Sequence, residues 1–478
     1  MLTVLLILIP FIAGLISFGL KGSGPKVLGI ISSLATVVIA IGTWCTFRTT
    51  PDSLDFVADW IPQLGSQFRV GLDGMGVMLC LLTAVAFLLI FITIYSRDYE
   101  KPGSFYGLML LAQAGLMGVF TAYDALLFYI FWELALIPVY FLCSLWGGEK
   151  RIAVTFKFFI YTFLGSLLMM VGIIYLYFQT QDHSFSWAAF SSLPLGPEKQ
   201  KWLFWLFFVA FAIKMPVFPF HTWQPDTYEQ SPTPVTMILS GLMVKMGLFG
   251  LIRWCLLLVP QGVGMWSDVA IVLCIIGIIY ASAIAMVQND IKRLIAYSSI
   301  AHIGLMCAAI FADNEQSLQG VLIQMFNHGI NIIGLWIIVD VIQQRLGVKN
   351  MDQLGGMARK APRMAIFFVI ISLANIGLPL TNGFIGEFLM LSGLFEYNHW
   401  FMAFAGLGII LSAVYTLGMI QKVIFGESNE LTETTTDLQP GEALALSLIV
   451  IMILVLGVYP KPMLDLVSST TEVFNKVF

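Results

Sequence analysis

Six ionisable side chains interrupt the long apolar runs of this chain. Lys214 stands in "FAIKMPVFPFH" (211–221), after a run that reads WLFWLFFVAFAI from Trp202. Glu133 lies in "FYIFWELALIPVYF", His302 in "SSIAHIGLM", His328 in "IQMFNHGINIIG" and Glu387 in "TNGFIGEFLML"; Lys245 is the sixth. These residue types share one chemistry. Amine, carboxylate and imidazole each hold or release a proton, and a neutral imidazole both donates and accepts. Burial favours a neutral amine and a nearby carboxylate favours a charged one, so a glutamate that moves can make a lysine load or release. A charge at the centre of a bilayer costs about 2.5–3.5 kcal/mol on insertion scales. The two lysines and two glutamates would together cost roughly 10–14 kcal/mol against lipid. They must face one another or water inside a bundle.

The elements that position them are membrane helices. The chain is 59% hydrophobic and 11% charged, with mean hydropathy +0.89, where soluble domains carry about 25% charged residues. A bilayer core needs about 20 apolar residues per helix. Fourteen such segments are centred near residues 11, 36, 85, 112, 134, 166, 212, 245, 277, 302, 331, 378, 412 and 451. The expected fold is an all-α polytopic membrane protein with about fourteen transmembrane helices. The longest polar gaps, 46–70, 345–363 and 427–441, are too short for a folded nucleotide or cluster domain, since domains usually exceed about 50 residues. The first segment has no basic n-region or small-residue cleavage site, so it reads as a retained helix.

No redox centre is expected in the chain. Cys45, Cys80, Cys143, Cys255, Cys274 and Cys307 are scattered singly without CxxC spacing, whereas iron–sulfur and zinc sites need clustered thiolates. "GLDGMG" (71–76) lacks the strand and spacing of a phosphate loop. Neither a cofactor, a metal nor a nucleic-acid partner is implied.

Fifteen Lys and Arg fall in the odd-numbered connections, among them Arg97, Lys157, Lys292, Arg293 and Lys349. Seven, including Arg253 and Lys476, fall in the even connections and the C-terminus. By the positive-inside rule both termini face away from the cytoplasm. Of the 24 cations only Lys214 and Lys245 remain at membrane depth. Lys157 reads as a snorkelling side chain, and Asp226 and Glu229 of "HTWQPDTYEQSPTPV" (221–235) have no assigned role.

Spacing suggests a repeat. Glu133 to His302 is 169 residues, Lys157 to His328 is 171 and Lys214 to Glu387 is 173. Segments 4–8 and 9–13 then form two five-helix blocks of inverted topology, as in many transporters. The expected divisions are 1–100 (three N-terminal helices), 101–258 and 259–425 (the two blocks), and 426–478 (an acidic connection and a last helix). The relation fails at Lys245, whose counterpart near Gly418 is not ionisable. Each block has a broken helix. Pro216 and Pro219 deprive the carbonyls of Ala212 and Met215 of their donors, which an ammonium or water would replace. Pro379 frees the carbonyl of Asn375, and Thr381 or Asn382 would cap the half-helix that restarts. Paired breaks point to a midplane ion path. The bland alternatives are a structural Lys214–Glu133 ion pair, a purely structural Lys245, core histidines, a simple cap at Glu387 and ordinary proline kinks.

"FWELALIPVYFL", "AIKMPVFPFHTWQPDTYEQSPTPV", "NDIKRLIAYSSIAHIG" and "GFIGEF" together resemble the antiporter-like subunits of respiratory complex I, the NADH-quinone oxidoreductase. The resemblance covers nearly the whole chain and is strongest from about 120 to 395. It implies proton translocation driven by NADH-to-quinone electron transfer in partner subunits of the membrane and peripheral arms. Residue by residue, it implies that Glu133 pairs with Lys214, that Lys245 bridges two half-channels, that His302 and His328 lie between them, and that Glu387 is the acid of the broken twelfth helix. Related subunits generally carry lysine there, so the glutamate marks one branch of the family. The implied location is a bacterial inner membrane, with the mitochondrial inner membrane open. A sodium/proton antiporter subunit, a membrane scaffold without a proton path and a hydrogenase-type complex are the competing readings.

Overall fold

A computed structural model describes residues 1–474; Lys476 lies outside the described residues. The helices are α1 (Leu2–Ser17), α2 (Gly24–Thr49), α3 (Gly74–Ile94), α4 (Pro102–Thr121), α5 (Ala125–Trp146), α6 (Arg151–Gln179), α7 (Pro197–Lys214) and α8 (Trp223–Gln230). Next come α9 (Thr233–Leu256), α10 (Pro260–Met286), α11 (Ile291–Ile310) and α12 (Glu315–Leu346). The chain ends with α13 (Pro362–Asn375), α14 (Asn382–Tyr397), α15 (His399–Phe425), α16 (Pro440–Val458) and α17 (Lys461–Phe474). Among the described residues eleven helices are long and apolar enough to cross a membrane. The expected segments near 212 and 378 are the interrupted pairs α7–α8 and α13–α14. The protein is an all-α polytopic membrane protein.

Local chemistry sets the helix ends. Proline begins α4, α7, α10, α13 and α16, where its missing N–H costs nothing. Asp124 accepts the N–H groups of Leu126 and Leu127 at 3.0 Å to cap α5, and Asp290 accepts those of Lys292 and Arg293 to cap α11. These caps satisfy donors that have no partner within the helix.

Burial sorts the helices. The most apolar windows of α9 and α12 are wholly buried, and that of α11 is 89% buried, whereas those of α2 and α16 are only 33% buried. The helices that carry Lys245, His302 and His328 therefore form the middle of the bundle, screened from lipid by the others.

The two ends of the bundle are built differently. The gap 46–70 is not featureless. It folds into an antiparallel hairpin, β1 (Phe56–Ile61) and β2 (Ser66–Val70). Val70 bridges Ala122, and Asp124 bridges Ser186. The Asp124 carboxylate also accepts the Ser66 hydroxyl and the Gln67 N–H, both at 3.0 Å. The connections 2–3, 4–5 and 6–7 are thus joined largely through backbone. At the opposite end lie nine of the eleven ion pairs among the described residues.

Asp226 and Glu229, left without a role above, are the centre of that ionic end. Asp226 meets Lys157 at 2.9 Å and Arg293 at 3.1 Å, and Glu229 meets Arg293 at 2.9 Å and also Lys349. Burial opposes ionisation of both acids, and the hydrogen bonds from these cations offset that cost. Lys157 does not simply snorkel. Its ammonium also donates to the Thr222 carbonyl at 2.8 Å, which ties α6 to the chain just before α8.

Candidate functional site

Four of the six residues form one row. Lys245 lies in an α-helical stretch of α9, Val244–Gly250, bracketed by π-helical turns at Leu239–Met243 and Leu251–Leu256. Such turns recur at functional sites. Its Nζ donates to the Ser240 carbonyl at 3.0 Å and lies 2.8 Å from His328 Nδ1. Nitrogen faces nitrogen, so the pair shares one proton between them. The His328 ring is 5.7 Å from that of His302, and His302 Nε2 is 3.6 Å from Glu387 Oε1. Lys245, His328, His302 and Glu387 are all buried.

The second break supplies part of this row. The carbonyl of Asn375, freed by Pro379, lies 2.8 Å from His302 Nε2, while Nδ1 lies 2.8 Å from the Ser298 carbonyl. With an acceptor at each nitrogen the ring donates to both as imidazolium and to one as neutral imidazole. Tyr415 donates to Ser298 Oγ at 3.0 Å. A cavity of about 20 Å³, lined in part by His302, Glu387, Ser412 and Tyr415, has room for about one water.

Capping at this break differs from expectation. Neither Thr381 nor Asn382 caps α14 through its side chain; the Thr381 hydroxyl turns back to the Leu378 carbonyl at 2.6 Å. The tight turn through Gly377 (φ +69°) and Leu380 (φ +72°) brings the Leu378 carbonyl within reach of the Thr381 hydroxyl, which is engaged there instead of at the first turn of α14. Gly377 is also where the Glu387 carboxylate rests, so a β-carbon there would strike that carboxylate. Gly377→Ala is expected to displace Glu387 and to cost about 1–3 kcal/mol of backbone strain. Proton pumping and thermal stability of the variant complex, measured together, check this; wild-type values for both would show that the contact is dispensable.

The first break is satisfied differently from the expectation. Val217 N–H takes the Ala212 carbonyl at 2.9 Å, and the Trp223 indole takes that of Ile213 at 3.0 Å. No ammonium is needed at Ala212. Lys214 Nζ instead has no hydrogen-bond partner among the described residues and lies over the ring faces of Trp132 and Phe158, at 5.7 and 6.0 Å. Among the described residues no ion pair within 4.0 Å joins it to Glu133, although Glu133 directly follows Trp132 and the two charges feel each other. The end of α7 meets α9 at Gly247, where a β-carbon would stand 2.9 Å from Met215 N and Phe211 O. That close approach brings the Lys214 turn against the helix of Lys245.

Sequence reading missed several buried charges, among them Asp340, Lys292 and Arg253. Asp340 of α12 is paired with Arg97, and Lys292 is only 2% exposed rather than lying free in a connection. Asp340 interrupts "LWIIVDVIQQR" as an acid in an apolar run, which is the signal that could have found it. Arg253, counted in a connection, is buried against Asp73 at 2.6 Å.

Residues 122–412 match the family described as NADH:quinone oxidoreductase/Mrp antiporter, TM. The chain belongs to this family. Within the NADH:quinone oxidoreductase/Mrp antiporter family it is 37% identical to NADH-quinone oxidoreductase subunit M of Rickettsia typhi, covering 93% of this chain and 91% of that one. It is 34% identical to F(420)H(2) dehydrogenase subunit M of Methanosarcina mazei, covering 98% and 97%. A chain of respiratory complex I from Thermus thermophilus with bound NADH superposes with a TM-score of 0.92 at 29% identity, covering 100% of this chain and 99% of that one.

Proposed function

We propose that the chain is a proton-translocating membrane-arm subunit of an NADH-quinone oxidoreductase. In this reading protons cross through Glu133, Lys214, Lys245, His302, His328, Glu387 and water. The observation that carries it is the buried row from Lys245 through His328 and His302 to Glu387, in which each member can hold or pass a proton. A Lys245–His328 contact of 2.8 Å is within direct transfer distance. Lys214, near Glu133 but not bonded to it, is free to change its proton content as that glutamate moves. Counting α7–α8 and α13–α14 as one crossing each gives the fourteen crossings and two five-helix blocks of the inverted repeat.

Moving one charge through 100 mV costs about 2.3 kcal/mol, so a drive is required. We read no cofactor in this chain, and the drive then comes from redox partners in the membrane and peripheral arms. Purification of the intact complex with its partners tests this. Flavin, iron and NADH binding are expected in the partners and none in this chain after its separation; stoichiometric cofactor retained by this chain would overturn the reading. The relative from Methanosarcina mazei favours a second reading, in which the same membrane subunit serves a different electron donor. The donor-binding subunit that co-purifies decides between them.

We place the protein in a bacterial inner membrane with both termini on the non-cytoplasmic side. A C-terminal reporter that is active only outside the cytoplasm is expected to be active when fused to the chain. Activity solely of a cytoplasm-dependent reporter would reverse the orientation.

A further inference from the structure

A polar chamber of about 280 Å³ opens at the ionic end of the bundle, and its walls come from the odd-numbered connections and adjoining helix ends. Arg97, Lys292, Asp340, Glu229, Tyr99 and Thr233 face it. Arg97 and Asp340 form an ion pair, and Asp340 is 1% exposed. Lys292 is buried beside them. Glu229 is already held by Arg293 and Lys349. The chamber floor therefore has two cations, Arg97 and Lys292, against the one acid Asp340.

Two helices lead inward from that floor to the central row. Asp340 is twelve residues along α12 from His328, a distance of about 18 Å at 1.5 Å per residue. Thr233 opens α9, and Thr236, Ser240 and Lys245 follow it. The Ser240 hydroxyl donates to the Thr236 carbonyl at 2.8 Å, and the Lys245 ammonium donates to the Ser240 carbonyl at 3.0 Å. Hydroxyls bonded one turn back are ordinary in helices; here they end at the buried lysine of the row. Nothing in the sequence reading used Asp340, Arg97 or Lys292 as a group.

We propose that this chamber is the port through which protons enter the row from the cytoplasmic side, with Asp340 as the group that receives them and Arg97 as its counter-charge. The inference rests on the proton-translocating reading above. A proton arriving by way of water bonds to a carboxylate oxygen of Asp340 and releases its hold on Arg97. Passing that proton inward to Lys245 restores the ion pair, and no other reactant is consumed.

The test uses the whole complex in inverted vesicles, whose cytoplasmic face is outward. Asp340→Asn is expected to cut NADH-driven pumping at least fivefold and to change its pH profile, with Asp340→Glu restoring most of both. Gln344, exposed at the chamber mouth and outside the path, provides a handle that does not depend on folding of an Asp340 variant. Gln344→Cys is expected to pump normally until a bulky membrane-impermeant maleimide is added from the cytoplasmic face, and then to lose at least half its rate. Normal pumping by Asp340→Asn, an unchanged pH profile with no rescue by Glu, or no effect of the label would each overturn the port. Lys245→Ala in parallel separates the two readings. If it pumps normally the proton-translocating reading fails, and if it is inactive while the Asp340 and Gln344 variants are normal only the port fails.

Discussion

Lys214→Ala is expected to leave the complex assembled and to reduce proton pumping roughly tenfold or more, a loss of at least about 1.4 kcal/mol in the coupled step. NADH–quinone turnover is expected to fall with it, because the two are coupled. Glu133→Gln should act in the same direction, since it removes the charge that the lysine feels. Lys214→Arg is the informative variant. Arginine keeps its proton at any working pH, so it can replace a fixed charge but cannot replace a carrier. The site already speaks against a fixed pair: Lys214 rests on the faces of Trp132 and Phe158 rather than on Glu133. Arginine would also have to be fitted against those rings. Pumping and assembly measured in membrane vesicles decide the matter, and an arginine variant that pumps at the wild-type rate would remove Lys214 from the path.

Lys245→Ala should have the other large effect. It deletes the hydrogen-bond contact that His328 Nδ1 makes and leaves a buried gap between two π-helical turns. Pumping is expected to fall roughly tenfold or more. His328→Ala should match it, and the double variant should be little worse than either, because residues that act as a unit are not additive. If instead Lys245 only braces the Ser240 carbonyl, Lys245→Gln will lower the melting temperature while pumping per assembled complex stays near wild type. Measuring both quantities on the same preparation separates bracing from transfer.

The six candidate positions were legible because each sets an ionisable group in an apolar run, where its cost demands a reason. The breaks were legible because proline cannot donate. What the freed carbonyls would bond was not, since the substitutes come from elsewhere in the fold. His302 reaches the Asn375 carbonyl across 73 residues of sequence, and the Trp223 indole folds back to Ile213. Asp340 was overlooked because it is close to the polar end of its segment, where an acid usually reaches water. Lys292 looked like a connection lysine for the same reason, yet it is buried where α11 packs on α8 and α12. The hairpin β1–β2 has few long apolar runs and left only a polar gap to read. Its order comes from bonds to the connections at 122–124 and 183–187, which no local pattern reveals.

The contrast between the two ends of the bundle has a mechanical consequence. Hydrogen bonds between loop backbones, such as Gly71 to Thr121 at 2.9 Å and Ala125 to Phe185 at 2.8 Å, have fixed geometry and no titrating partner. Ion pairs between long side chains tolerate sliding and weaken as salt screens them. The molecule resembles a book bound along one edge, with the hairpin as its spine and the Asp226–Glu229 cluster at the opening side. A change of charge in the middle of the bundle would then move helices mostly at the ionic end, where α8, α11 and the connection after α12 can shift against one another. Stiffness at one face and compliance at the other turn a proton's arrival into a displacement with a direction.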